Sequence, residues 1–578
     1  DYHLLPAASP YATRTVNMSV FNTGGNTYFP PIASDASNIP VNGVFYLPSG
    51  NGPFPVAFFV HGNHHPLERS EPGYEEAAAH LASQGVLAVS VDMNYMNASG
   101  GNGGRAILLL EHLKQFRTWN STPGHPLQGK VDMNRILLLG HSRGGEAVQH
   151  ASFFNRLTRE GRTVIRPYPN TADYAGFNDP VAVDGSGQLG PYAFNLSAVI
   201  SIAPTESQYM PVDPADETRQ IASTVHDAFF VIHGSRDSDV TSFVGYQAYD
   251  RAAPFSHTTA ADDAGVVKAL LYLHNANHNF FNRIWSAVPD GSGRCRYSIC
   301  YSPIRQLHKD DQYAALKVWL STIAQGMVLG RPGYLDVLRH KPLMASILPR
   351  PWRNVNGDAL ELDFNSQYQD RRRRLLNHFE EDADMSTASP LPGGIAGTNE
   401  VFGNMTAAEM PLTYSQTSPW FLQNTRGLNI AWSGVGTNSY RTTFSDNLPL
   451  ATSQGQTLTH LALRVGFASN EIRNQVVLNP IGVDQDLTLE VRDFSGRTFS
   501  MSGADLFGGT SVMPYQHYLG SNGDAPSLPY ILVMQTLRFP LQAFAQRGVA
   551  VDDIAEIRLR FDRTSSGSLY IDDIQLTR

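Results

Sequence analysis

Cysteine, charge and long apolar runs are all scarce in this chain. Its 578 residues include only two cysteines, Cys295 and Cys300, and charged residues make up 16% against about 25% in an average soluble protein. With 42% apolar residues, the composition excludes a disordered chain, which combines low hydrophobicity with high charge, and a coiled coil rich in Glu, Lys and Arg. Positive charge is in deficit as well. A formal net charge of −9 argues against a nucleic-acid partner, which needs a basic face. No apolar run approaches the roughly 20 residues that span a bilayer. The longest, such as Phe58-Phe59-Val60 and Ile136-Leu137-Leu138-Leu139, have the size of strands. The chain is long enough for two or three domains.

The two cysteines stand five positions apart, between Asp290-Gly291-Ser292-Gly293 and Ser302-Pro303. These flanks are loop chemistry, so a short-loop Cys295–Cys300 disulfide and an oxidising compartment are expected, with two buried thiols as the alternative. The first residues are Asp-Tyr-His rather than Met, which fits removal of a secretory signal or a trimmed start. The expected location is secreted or periplasmic.

From about residue 14 to 345, short apolar runs alternate with helical stretches, the pattern of an α/β sheet. Strands are expected at Gly43–Leu47, Val56–His61, Val86–Asp92, Arg135–Gly140, Leu196–Ala203, Ala228–His233 and Val267–His274. Their continuous Val, Ile, Leu and Phe content suits parallel strands buried on both faces. Helices are expected at Tyr74–Gln84, Arg105–Trp119, Gly145–Leu157 and Tyr313–Gly326. After Pro349-Arg350-Pro351 strict alternation takes over, as in Leu461, Leu463, Val465 and Phe467, in Leu487, Leu489 and Val491, and in Ile557, Leu559 and Phe561 with Arg558 and Arg560 opposite. Alternation with Gly, Asn, Asp and Ser punctuation marks a β-sandwich. The expectation is an α/β unit at 1–349 and an all-β unit at 352–578.

The strongest local signal is the run Ile136-Leu137-Leu138-Leu139-Gly140-His141-Ser142-Arg143-Gly144-Gly145. An apolar strand runs into Gly-x-Ser-x-Gly and a helical pattern follows, the context a nucleophile elbow requires. A serine hydroxyl needs a neighbouring base, and in this arrangement the acid and then the histidine come later in the chain. Asp237 lies just past strand Ala228–His233, and His278 lies in the loop after Val267–His274. The Gly234-x-x-Asp237-x-x-Val240 spacing favours Asp237, and Asp239 is the alternative acid, or a loop-capping residue. His274 reads as a packed core or edge histidine.

Acyl transfer also needs backbone N–H groups aimed at the developing oxyanion. The amide of Arg143 supplies one, and the segment His61-Gly62-Asn63-His64-His65-Pro66 the other, assigned to Asn63 with His64 as alternative. The cluster His61, His64 and His65 has the residue type of a zinc site, but no carboxylate or fourth ligand stands nearby at ligand spacing, so no metal is assigned.

Residues 40–345 resemble the α/β-hydrolase superfamily, and within it the secreted dienelactone-hydrolase, chlorophyllase and polyester-hydrolase relatives. The resemblance is carried by Val60-His61-Gly62, by Gly140 to Gly145, by His233-Gly234-x-x-Asp237 and by Asn277-His278-Asn279-Phe280. It implies an α/β-hydrolase fold, a mostly parallel sheet with helices on both faces, and a Ser142–Asp237–His278 esterase without a cofactor. Those relatives often carry a small or apolar residue where this chain has Arg143. Glucuronoyl esterases are similar in having arginine there, which implies that its side chain helps bind the oxyanion. Pairing of Arg143 with Glu146 is the structural alternative.

The stretch 158–195 follows the nucleophile helix and is longer than a normal connection, so it is a candidate lid. Its Tyr168, Tyr174, Phe177, Tyr192 and Phe194 would line a pocket or form a small core. Glu206, Tyr209 and His64 are candidate substrate contacts. The C-terminal unit resembles the galactose-binding-like jelly rolls of secreted hydrolases, through Ile557 to Phe561 and Gly567 to Leu576. That resemblance implies an accessory domain for a carbohydrate or polymer surface. Trp420, Tyr440 or Tyr515 would stack on sugars or, as such residues more often do, belong to the core or the interdomain face. A structural Ca²⁺ at Asp572 or Asp573 is the one ion it suggests. The expected activity is hydrolysis of a carboxylic ester, small or polymeric. A serine peptidase, or a silent binding protein working through the sandwich, are the alternatives.

Overall fold

The computed structural model describes, with short breaks, residues 38–159, 192–287, 306–507 and 532–578, together with short strands at 13–17 and 26–28. The chain forms two compact units. The first draws on residues up to 253, 268–339 and 343–363, and the second consists mainly of 364–578.

The first unit is built on strands β1 (Thr13–Asn17), β2 (Gly43–Pro48), β3 (Phe54–Val60), β4 (Leu87–Val91), β5 (Val131–His141), β6 (Leu196–Ile202), β7 (Phe229–Gly234) and β8 (Val267–Leu273). They lie side by side in the order β1-β2-β4-β3-β5-β6-β7-β8. From β4 to β8 the pairs are parallel, and β1 with β2 and β2 with β4 are antiparallel. Between them run helices α1 (Glu75–Ala82), α2 (Asn102–Ser121), α3 (Arg143–Arg159), α4 (Gly245–Arg251) and α5 (Lys309–Met327). The central strands are apolar on both faces, with every residue of β3, β4, β7 and β8 buried. Each such Val, Leu, Ile or Phe side chain contributes about 1.5–3 kcal/mol on leaving water.

This corrects the expected fold class. Among the described residues, the sheet is mixed, two further antiparallel pairs (Asn26–Tyr28 with Asn38–Pro40, and Val212–Asp213 with Asp216–Gln220) stand outside it, helix amounts to only 28%, and β structure dominates the C-terminal half. The physical reason is that an apolar run reports burial and not direction. The run Gly43–Pro48 is as apolar as its neighbours, but it pairs antiparallel on both sides.

In the second unit, one sheet runs Met405–Thr413, Leu422–Ser433, Ser566–Thr577, His460–Phe467 and Gln535–Pro540, with Arg373–Asn377 also paired to Ser566–Thr577. The other runs Gly397–Phe402, Ser439–Phe444, Ile554–Arg560, Thr488–Asp493 and Thr498–Ser502. All of these pairs are antiparallel, and one core draws from both sheets: Leu428, Ile430, Trp432, Leu461, Leu463, Val465, Leu489, Val491, Ile557, Leu559 and Leu569. The alternation read from the sequence is the inward face of these strands.

Candidate active site

Ser142 stands between β5 and α3 with φ of 59°, a left-handed conformation uncommon outside glycine and found at strained functional positions. Neighbouring glycines make the turn possible. A β-carbon on Gly144 would lie 2.2 Å from the Val60 carbonyl oxygen, and one on Gly62 would lie 2.5 Å from Ser142 Cβ. The loop after β3 is therefore pressed directly against the nucleophile position. The turn is tied down by the Ser142 amide donating to the Ile202 carbonyl at 2.9 Å and by the Thr205 amide donating to the Ser142 carbonyl at 3.2 Å.

His278 follows β8 and is buried. Its Nδ1 is 2.7 Å from Oδ2 of Asp237, which lies just beyond β7. Asp237 Oδ1 accepts from the amides of Val240 at 2.7 Å and Asp239 at 3.1 Å, so the loop orients the carboxylate. His233 Nε2 stands 3.4 Å from the same Oδ2. Burial would push the Asp237 carboxyl up, but the charge and hydrogen bond of His278, then His233 and the Val240 amide, hold it below the ordinary carboxylate range. The His278 ring lies 4.8 Å from that of His141, the residue before Ser142, and parallel to Trp285 at 6.5 Å. The three residues expected from the sequence thus gather at the carboxyl ends of β5, β7 and β8.

Several supporting side chains carried no sequence signal. Gln312 of α5 accepts from the Asn277 amide at 2.8 Å and donates to the Asn277 carbonyl at 2.6 Å, clamping the backbone before His278. Tyr74 is hydrogen-bonded through its hydroxyl to His141 Nδ1 at 2.8 Å. Burial, and then the nearby His278, hold His141 well below its usual range, so it is neutral. Arg105 of α2 reaches from Asn97 Oδ1 at 2.8 Å to the carbonyl of His61 at 3.2 Å, bracing the loop that carries Asn63. A signal did exist for Glu146 and His150, four apart on α3. Glu146 Oε1 is 3.3 Å from His150, and its Oε2 accepts from Asn102 at 2.7 Å and Thr205 at 2.8 Å.

The remaining expected residues fall out as follows. Asn63 is half-buried and directly follows Gly62, against the elbow, and Arg143 is the half-buried first residue of α3. Backbone N–H groups at a helix start favour an anion. His64 pairs with Glu68 at 2.9 Å and stacks on Trp285 at 5.2 Å. Glu206 is held by Arg251, with burial pushing its carboxyl up. Tyr192 and Phe194 pack on α2: the Tyr192 hydroxyl donates to Glu111 at 2.8 Å, and the Arg117 guanidinium lies 4.7 Å over Phe194. Tyr440, a candidate sugar platform, is instead 1% exposed in the sandwich core with Asn377 on its hydroxyl at 3.1 Å. Tyr168, Tyr174, Phe177, Tyr209, Cys295, Cys300, Trp420, Tyr515 and His65 lie outside the described residues.

Two groups bear on metals. His61, Glu71 and Asp92 bring ligand atoms within 4.8 Å of one another, a grouping the zinc reading of the sequence did not see because the carboxylates come from other segments. Their lone pairs are engaged. His61 Nε2 accepts from the Met93 amide at 3.0 Å and Nδ1 donates to the Gly62 carbonyl at 2.8 Å, Glu71 takes Arg69 and Asn94 at 2.6 Å each, and Asp92 takes Asn94 at 2.6 Å. Burial first, and then Arg105, hold His61 down to about 3, which suits a neutral acceptor. In the second unit, Asp572 and Asp573 meet the guanidinium of Arg464 at 2.5 and 3.3 Å, where a Ca²⁺ would have to sit.

No family model matches the chain, and no curated protein matches its sequence. Among the described residues, no helix is long and apolar enough to cross a membrane.

Proposed function

We propose that the first unit is a serine hydrolase of carboxylic esters, kin to the dienelactone-hydrolase, chlorophyllase and polyester-hydrolase enzymes, and that it works in an exported protein. The observation that carries the reading is the left-handed Ser142 at a helix start, with the Asp237-bound His278 packed against His141, the residue before the serine. Ser142 Oγ attacks the ester carbonyl while His278 Nε2 takes its proton, and Asp237 holds the imidazole in the tautomer with its proton on Nδ1. The oxyanion receives the amides of Arg143 and Asn63. Collapse expels the alkoxide, which takes the proton that His278 received from Ser142 and leaves as the alcohol. Water then attacks the acyl-enzyme with His278 as base again, releasing the acid and restoring Ser142. No step calls for a cofactor.

The test is labelling with a fluorophosphonate, followed by mapping of the adduct. Modification of Ser142, lost in Ser142→Ala, supports the reading. Labelling that persists in the variant, or never occurs, overturns it. A panel of p-nitrophenyl esters beside peptide amides separates esterase from peptidase.

A further inference from the structure

His278 meets carboxylates at both ring nitrogens. Asp237 takes Nδ1 from the buried side, and Asp239 places Oδ2 3.6 Å from Nε2 with its own side chain 63% exposed. Nε2 is the atom that hands the proton to the departing alcohol, so an acidic group 3.6 Å away stands beside the leaving-group path. Asp239 is not the alternative orienting acid, because Nδ1 belongs to Asp237 at 2.7 Å. Asp237 Oδ1 in turn accepts from the amides of Asp239 and Val240, which fixes the backbone that carries Asp239.

From this placement we infer that Asp239 is a specificity-determining and positioning residue: its carboxylate selects esters whose alcohol portion is neutral or cationic over anionic ones, and it favours the protonated form of His278. The inference rests on the ester-hydrolase reading of the site.

Among the described residues, the surroundings leave this role to Asp239. Of the other titratable groups facing the ring, His141 at the end of β5 and His233 at the end of β7 are both kept neutral by burial, His233 down to about 4. Trp285 covers one face, with the His64–Glu68 pair beyond it, and Arg236 turns its Nε to Asn275 at 3.4 Å. Asp237 is common to both protonation states and touches only Nδ1. An exposed charge at this distance in water-like surroundings is worth a factor of about three to ten, and salt screens it.

The experiment compares the full-length protein with Asp239→Asn and Asp239→Glu. Titration of the His278 imidazole by NMR, at low and high salt, reads the pairing without any substrate. The expected result is that Asp239→Asn lowers the His278 midpoint by about half to one pH unit, that Asp239→Glu restores most of it, and that high salt shrinks the difference. In parallel, kcat/KM is measured for esters sharing one acyl group but carrying neutral, cationic and anionic alcohols. Asp239→Asn is expected to improve the anionic ester about three- to tenfold relative to the neutral one, and to worsen the cationic ester. An unmoved titration together with an unmoved charge preference overturns the inference. If fluorophosphonate fails to label Ser142, the hydrolase reading and the leaving-group role fall together, while the titration still decides whether Asp239 pairs with His278.

Discussion

Ser142 in the first unit and Asp573 in the second each hold a buried polar side chain on a left-handed backbone, with φ of 59° and 49°. The resemblance ends at the side chain. Asp573 sits where the pairing of His460–Phe467 with Ser566–Thr577 slips register, and its carboxylate closes on Gln369 and Arg464. Ser142 instead stands where β5 ends, next to His141, whose ring packs on an imidazole already held by Asp237. One strained turn is spent on an internal ion pair and the other presents a hydroxyl. A left-handed residue therefore says little by itself about chemistry; what its side chain meets decides the matter.

Substitutions can break this contrast, and the largest effect belongs to the first unit. Asp237→Asn is expected to lower kcat by about 10⁴-fold on any ester the protein turns over, because the imidazole loses the partner that sets its tautomer. The thermal midpoint should change far less, and steady-state rates beside a melting curve check both. Next comes Arg464→Met in the second unit, which strands Asp572 and Asp573 in the sandwich and should cost about 3–5 kcal/mol in denaturant unfolding. The triple change Arg464→Met, Asp572→Asn and Asp573→Asn should recover most of that loss. If the single change costs nothing, the pair is not closed in the way the geometry indicates.

The smallest effect concerns a buried group outside either cluster. His112 on α2 is fully buried, its ring nitrogens meet no partner among the described residues, and burial holds it down to about 3. Its folded value lies below the unfolded 6.5, so its contribution is complete above 6.5 and is lost as the pH falls from there toward about 3. His112→Leu should remove that dependence. Its stability relative to the parent protein should rise by about 1 kcal/mol for each pH unit below 6.5, as read by denaturation at pH 7, 6 and 5. A constant difference across that range would mean the histidine is not kept neutral.

Much of the candidate site was legible because each of its three residues directly follows an apolar strand. Local sequence marks where a buried run stops, and Ser142, Asp237 and His278 stand at such stops. The strand stop alone does not separate Asp237 from Asp239, since both follow β7 within a few residues, and it was the spacing from Gly234 to Val240 that favoured Asp237. It took the ring orientation of His278 to assign one carboxylate to each nitrogen. Gln312 and Arg105 were invisible because their contacts are long-range, and Tyr440 could be placed in the core only by the structure, because an aromatic in a strand looks the same on either face.

What the sequence by itself determined is the set of buried segments, the change from long apolar runs to strict alternation near residue 350, and the order nucleophile, acid, histidine. These are local properties, set by side-chain hydrophobicity and period. Only the tertiary structure decided strand direction, the mixed character of the sheet, the grouping of His61 with Glu71 and Asp92, and the second carboxylate on His278. Each of these depends on which distant segments pack together, and packing is settled by the whole core at once.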